Sequence, residues 1–226
     1  MQIKGLVFDF DGLIVDTEGP SLLAWQALYQ SYNLEFRFDQ WINIVGGSDG
    51  TFNPFIDLEN QTGQSIDIQQ VMQFVHQHIL DTIQHPHPLP GVLEMIHAAR
   101  SLGWKLAIAS SSEREWVVPL LKRLGIDGCF DAICTRTDVG KRKPDPAVYL
   151  LAVERIGLRP EETIALEDSR NGVLSAKAAG MYCVAIPNHV TSTLDFSDAD
   201  LVLETMTGVS PQQLAAALSA DPRRQL

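Results

Sequence analysis

Two carboxylates, Asp9 and Asp11, stand two residues apart at the end of an apolar run from Ile3 to Phe10. A second acidic pair, Glu167-Asp168, closes the apolar run Thr163–Leu166 in the same way. Burial and mutual repulsion both oppose ionising acids placed like this, so something positive should lie among them. Four acids converging on one place make a hard-oxygen site that suits Mg²⁺. Ser110-Ser111-Ser112 follows a third apolar run, and Lys143 stands just ahead of Pro144. Each feature also has a plainer reading. Asp-x-Asp-Gly opens many calcium loops, but no further ligands follow here at the spacing of an EF-hand. Any of the three serines would serve as a helix N-cap, although the strand's end favours Ser110. Lys141 and Arg142 compete with Lys143. His76, His78, His85 and His87 have mixed spacing and read as solvated histidines rather than as a metal cluster.

For these groups to meet, strands must deliver them to one edge. Lys105–Ala109 and Tyr182–Ile186 repeat the short, nearly continuous apolar pattern of the other two runs, which suits strands buried on both faces of a parallel sheet. Helical stretches lie between them: Val92–Leu102 ends at Gly103, Glu113–Leu124 at Gly125, Pro146–Ile156 at Gly157, and Asn171–Ala179 at Gly180. Alternation of this kind predicts an α/β fold with a doubly wound parallel sheet, Rossmann-like, in which functional groups gather at the carboxyl edge. Thr17 to His87 breaks the alternation. It holds no buried-strand run, and Leu22, Leu23, Trp25, Ala27, Leu28 and Tyr29 give apolar positions at helical spacing, with a second helical stretch from Ile66 to Ile83. The expected organisation is a catalytic core of residues 1–16 and 88–226. A small all-helical cap domain, residues 17–87, is inserted after the first strand. Pro86, Pro88 and Pro90 stiffen the return. Asp221 to Leu226 reads as a frayed tail.

The chain's 226 residues, with a net charge of −11, argue against nucleic acid or an anionic membrane as the main partner. They do not argue against a phosphorylated small molecule, because a lysine, backbone N–H groups and a metal override the global sign locally. Three cysteines without C-x-x-C spacing read as reduced thiols. No apolar run approaches the roughly 20 residues of a membrane span. A cytoplasmic protein, a monomer or weak dimer, is expected.

Asp9-Phe10-Asp11-Gly12-Leu13-Ile14-Val15-Asp16-Thr17 resembles the first motif of the haloacid dehalogenase superfamily, D-x-D-G-x-x-x-D-[ST]. Ser110 matches the second motif, Lys143 in Lys-Pro-Asp-Pro the third, and Glu167-Asp168-Ser169 the fourth. The resemblance runs over essentially the whole chain and implies a Mg²⁺-dependent phosphatase. Asp9 would attack phosphorus to form an aspartyl-phosphate. Asp11 would protonate the leaving alcohol and then deprotonate the attacking water. The Asp9 and Asp168 carboxylates and the Asp11 main-chain carbonyl would hold the metal, with Glu167 acting through water. Ser110, or Ser111 beside it, and Lys143 would hold the phosphoryl oxygens, and Gly12 would let the backbone turn sharply. Thr17 would touch substrate or cap the first cap helix, and Asp16 would be a structural hydrogen-bond acceptor.

Within the superfamily, the small cap and the Leu-Glu-Asp-Ser and Ala-Lys-Ala-Ala-Gly stretches resemble the β-phosphoglucomutase-like branch. A mutase of that kind grips a second phosphate with basic residues in the cap, where this chain has Val45 and Asp49, and carries a histidine where this chain has Ser21. Plain hydrolysis of a small phosphate monoester, best a sugar or sugar-alcohol phosphate, survives these changes. The alternatives are a phosphosugar mutase or a non-catalytic binding protein on the same fold. Asp11 and the Glu167-Asp168 pair argue against a dehalogenase. Arg37 and Arg114 read as surface residues rather than substrate contacts.

Overall fold

In the computed structural model, which describes residues 2–48 and 50–220, the predicted strands form the middle of a six-stranded sheet. In chain order the strands are β1 (Gly5–Phe8), β2 (Lys105–Ala109), β3 (Ala132–Cys134), β4 (Thr163–Glu167), β5 (Tyr182–Ala185) and β6 (Leu201–Val202). Their spatial order is β3-β2-β1-β4-β5-β6, and every pairing is parallel. β3 and β6 were missed in the sequence. At three and two residues they are too short to give a buried run, and they pair at the sheet's outer edges.

The helices are α1 (Glu18–Ser31), α2 (Phe38–Trp41), α3 (Pro54–Thr62), α4 (Ile68–Thr82), α5 (Val92–Ser101), α6 (Arg114–Leu124), α7 (Arg136–Val139), α8 (Ala147–Arg155), α9 (Arg170–Ala178) and α10 (Pro211–Ser219). Successive side chains of a strand point to opposite faces, so β1 feeds two cores. Leu6 and Phe8 pack with Ile96, Leu106 and Leu121 on one face, while Val7 packs with Ala107, Tyr149, Ala152 and Val173 on the other. Both faces being covered explains why the strands read as continuous apolar runs rather than as alternation. Gly125 ends α6 in the left-handed region, at φ 70°, as its position after Leu124 predicts.

The first four helices make a third apolar cluster around Trp25, Leu28, Trp41, Leu58, Val75 and Ile79, with α1 packed along α4. This helical cap sits over the carboxyl edge of the sheet. Its two connections to the core run together, joined by Leu89 N–H donating to the Ile14 carbonyl at 2.8 Å. Trp116 of α6 and Ile83, just past α4, pack partly buried against both the cap cluster and one of the core clusters. No described helix is long and apolar enough to cross a membrane. The tail from Asp221 and the cap residue Asp49 lie outside the described residues.

Candidate active site

The strand ends deliver what the spacing promised. The backbone N–H of Asp9 still bonds the Leu166 carbonyl at 2.9 Å, so Asp9 and Glu167 emerge side by side from β1 and β4. Lys143 is fully buried between them, its Nζ 2.5 Å from Asp9 Oδ1 and 2.5 Å from Glu167 Oε1. Burial alone would lower the Lys143 pKa, but the two carboxylates outweigh it and hold the ammonium charged. It is a positive group of the kind the acidic pairs required, whereas Lys141 pairs at the surface with Asp145 and Arg142 lines the cavity.

The remaining acids are underpaid in positive charge. Burial pushes the Asp9 carboxyl up, Lys143 only partly offsets it, and Glu167 and Asp11 add to it. Asp168, also buried, is pushed well above the usual carboxylate range, first by burial and then by Asp9 and Glu167. Asn188 Nδ2 donates to Asp168 Oδ2 at 2.7 Å, while Asp168 Oδ1 is buried with no hydrogen-bond partner. Carboxylate oxygens of Asp9, Glu167 and Asp168 lie within 4.8 Å of one another. An orphaned buried oxygen beside two further acids fits a hard divalent cation, because desolvated carboxylates need a compensating charge. Glu167 is more committed than expected: Oε1 also accepts from Tyr149 Oη at 2.5 Å and Oε2 from Ser169 Oγ at 3.3 Å. It chiefly anchors Lys143.

Asp11 has different company. Its Oδ1 accepts from Thr17 Oγ1 at 2.9 Å and from Trp116 Nε1 at 2.9 Å; its Oδ2 accepts from Ser112 Oγ at 2.6 Å and from Ser110 Oγ at 3.4 Å. Thr17 occupies the N-cap position of α1 without a side-chain capping bond, so its hydroxyl serves Asp11 instead. Ser110 Oγ also accepts from Ser112 N–H at 3.0 Å. Ser111 ties the cap to the core: its Oγ donates to the Gly46 carbonyl at 2.9 Å and accepts from Lys143 N–H at 3.2 Å. Gly12, at φ 78°, lies where a Cβ would overlap Asp168 Oδ2 and Asn188 Nδ2. Asp16 accepts from Gly19 N–H at 3.1 Å, a loop contact as expected.

Asp9, Asp11, Thr17 and the three serines 110–112 floor a cavity of about 420 Å³ between cap and core. Trp25, Phe52, Phe55, Met72 and Val75 wall it from the cap, and Arg136 and Arg142 line it from the core. Arg37 and Arg114 do not line it; they pair with Asp57 at 3.7 Å and Asp138 at 3.8 Å. The cap loop is fastened by Ser48 N–H donating to the Lys143 carbonyl at 2.8 Å, and by Asn171 Nδ2 donating to the carbonyls of Asn43 at 2.8 Å and Val45 at 3.0 Å. A Cβ on Gly47 would overlap the Lys143 carbonyl oxygen, so the loop's close approach needs glycine there. The four histidines do not converge. His76 stacks on Trp116, His78 stacks on Phe74, and His85 and His87 border a separate groove with Asp16 and His189.

Several residues of the site escaped the sequence reading. Asn188 follows β5 and was available to the same strand-end rule that found Ser110. Trp116, Tyr149 and Asn171 lie inside helices and carry no local signal. Glu18 is buried at the cavity wall, and burial, then Asp11, Asp9 and Asp16, push its carboxyl up to about 8. A carboxyl raised in the folded state stabilises below its unfolded value of 4.5, and that contribution is lost as pH rises through about 8. Glu18→Gln is therefore expected to stabilise the fold in EDTA by an amount that grows from pH 5 to pH 8, reaching on the order of 2 kcal/mol and read as a widening gap in melting point. Melts at the two pH values that differ from wild type equally would refute this.

A six-stranded parallel sheet, a helical cap, and a lysine held between two strand-end acids define a haloacid dehalogenase-type hydrolase. The chain belongs to the haloacid dehalogenase-like hydrolases: the family model matches residues 6–186. It is an enzyme of the family's phosphatase kind. The Bacillus subtilis (strain 168) protein YhcW, which bears the name of a phosphatase, is 40% identical over 205 residues, covering 91% of this chain and 93% of that protein. The Escherichia coli (strain K12) fructose-1-phosphate phosphatase YqaB is 30% identical over 187 residues, covering 82% and 97%. Among solved structures, β-phosphoglucomutase from Clostridium difficile superposes with a TM-score of 0.78 at 20% identity, over 96% of this chain and 98% of that one. That likeness shows the shared fold.

Proposed function

We propose that this chain is a Mg²⁺-dependent phosphatase that hydrolyses a small phosphate monoester, a sugar or sugar-alcohol phosphate, through an aspartyl-phosphate on Asp9. The carrying observation is the buried Asp9–Lys143–Glu167–Asp168 cluster, whose Asp168 Oδ1 lacks a partner. Asp9 and Asp168 would hold the metal through carboxylate oxygens and Asp11 through its main-chain carbonyl. Bound there, the cation would shield Asp9 from the anionic phosphate.

Asp9 attacks phosphorus, and the phosphorus–oxygen bond to the leaving alcohol breaks as the new one forms. Asp11 gives that alcohol its proton, then takes one from the water that hydrolyses the aspartyl-phosphate, so the carboxyl ends as it began. Lys143 and Ser110 or Ser111 hold phosphoryl oxygens, and the cap excludes bulk water.

A phosphosugar mutase must grip two phosphates. The cap segment 17–87 has one Lys or Arg, Arg37, and that residue is paired with Asp57 away from the cavity. Val45 is buried, packed in the cap cluster. The cap thus offers a second phosphate no lysine or arginine, which favours hydrolysis, and the arginines that line the cavity, Arg136 and Arg142, come from the core. A sugar-type substrate is supported by relatives named for fructose 1-phosphate and, in Thermotoga maritima, for phosphorylated carbohydrates.

Phosphate release should be screened over sugar phosphates, sugar-alcohol phosphates, phosphoglycolate, nucleotides and p-nitrophenyl phosphate. Release is expected on the sugar-type esters, lost with EDTA and restored by Mg²⁺. Turnover untouched by EDTA would overturn the metal assignment, and silence on every ester would overturn the phosphatase reading of this site.

A further inference from the structure

Asp11 is held by four side-chain donors, and three of them are hydroxyls. A hydroxyl donates or accepts as its rotor turns, so Thr17, Ser110 and Ser112 can follow a carboxyl through a change of protonation. The fourth donor cannot. Indole N–H has no acceptor capacity, and Trp116 Nε1 points at Asp11 Oδ1 from 2.9 Å. The oxygen it faces must stay an acceptor. Oδ1 is thus pinned by a donor of fixed direction, while Oδ2 meets only hydroxyls, Ser112 Oγ at 2.6 Å and Ser110 Oγ at 3.4 Å.

Trp116 is in turn held from the cap. The His76 ring of α4 stacks on the indole, with ring centroids 4.9 Å apart and planes 20° from parallel. Trp116 is half-buried and packs against both the core cluster and the cap cluster, so its indole lies at their seam. Its orientation therefore depends on the cap being in place.

We infer that Trp116 is a positioning residue for Asp11, fixing the orientation of its carboxyl through Oδ1, and that His76 of the cap holds the indole in that role. The inference rests on reading Asp11 as the general acid. It gives the cap a task besides shaping the cavity: His76 steadies the residue that helps aim the acid.

A positioning role shows in how the rate depends on the leaving group. p-Nitrophenolate leaves with little help, whereas phenolate, of similar shape, needs its proton. The test is steady-state kinetics on phenyl phosphate and p-nitrophenyl phosphate for wild type, Asp11→Asn, Trp116→Phe, His76→Phe and His76→Ala. Trp116→Phe keeps an aromatic ring for His76 but removes the donor. Its kcat should fall about tenfold or more on phenyl phosphate and less than about threefold on p-nitrophenyl phosphate, with KM nearly unchanged, a part of the roughly 10²–10⁴ that general acid catalysis supplies. His76→Ala should show the same bias more weakly, and His76→Phe, which restores a stacking ring, should resemble wild type. Equal losses on both esters in Trp116→Phe, or a change in KM alone, would overturn the inference while Asp11→Asn stays leaving-group-sensitive. An Asp11→Asn variant indifferent to the leaving group would instead remove the acid reading itself. Should Trp116→Phe fail to fold, Trp116→Leu also removes the donor, and its bias is read against that of His76→Ala, which loses the stack alone.

Discussion

Asp9→Asn is expected to lower turnover by roughly four orders of magnitude or more while leaving the melting temperature equal to or above that of wild type. The two outcomes have separate causes. An amide oxygen at this position is too weak a nucleophile to form the acyl phosphate. The fold loses little. Asp9 is one of three buried carboxylates served by one ammonium, and its own pKa is raised by burial despite Lys143. Neutralising it leaves Lys143 paired with Glu167, a balanced buried pair. Phosphate release at saturating substrate, run beside a thermal melt, checks both halves. A rate within tenfold of wild type would take the nucleophile's role from Asp9.

Lys143→Met should behave in the opposite way with respect to stability. Here the fold loses the only cation of a buried cluster, and Asp9 and Glu167 are left facing each other with no counter-charge. Removing one partner of a buried pair costs about 3–5 kcal/mol, which for a chain of this size lowers the melting point by roughly 10 °C. Activity should also fall at least about a hundredfold, because a phosphoryl-binding charge is gone. The informative control is Lys143→Met combined with Glu167→Gln. It should recover much of the lost stability and none of the activity, separating the structural from the chemical use of the same lysine. A single Lys143→Met variant that melts within about 2 °C of wild type would show that the cluster tolerates far more uncompensated charge than its burial implies.

The central strands were legible because β1, β2, β4 and β5 are covered on both faces, which leaves uninterrupted apolar runs in the sequence. Asp9, Asp11, Ser110, Glu167 and Asp168 were legible because they stand directly after such runs. β3 and β6 were not, since strands of three and two residues leave no pattern. The same limit applies to Trp116 and Tyr149. Each sits on a helix face chosen by tertiary packing, and its bond to Asp11 or Glu167 spans a separation in sequence that no local rule sees. Ser111 shows a subtler limit. It was expected beside Ser110 as a holder of phosphoryl oxygens, and the structure gives its hydroxyl to the Gly46 carbonyl of the cap.

The four hydrogen bonds that fasten the cap loop all end on residues of the proposed site or close beside it: Ser111, the Lys143 carbonyl, and Asn171 for two of them. None joins the cap to a remote part of the core. If the cap lifts from the sheet edge, those bonds must break, and the Ser111 and Lys143 segments lose their external support at that instant. Escape of the product and slackening of the phosphate's holders then become one kinetic event. The strength of four contacts on the far side of the lysine, rather than the acid and the nucleophile, would set the dwell time between one turnover and the next.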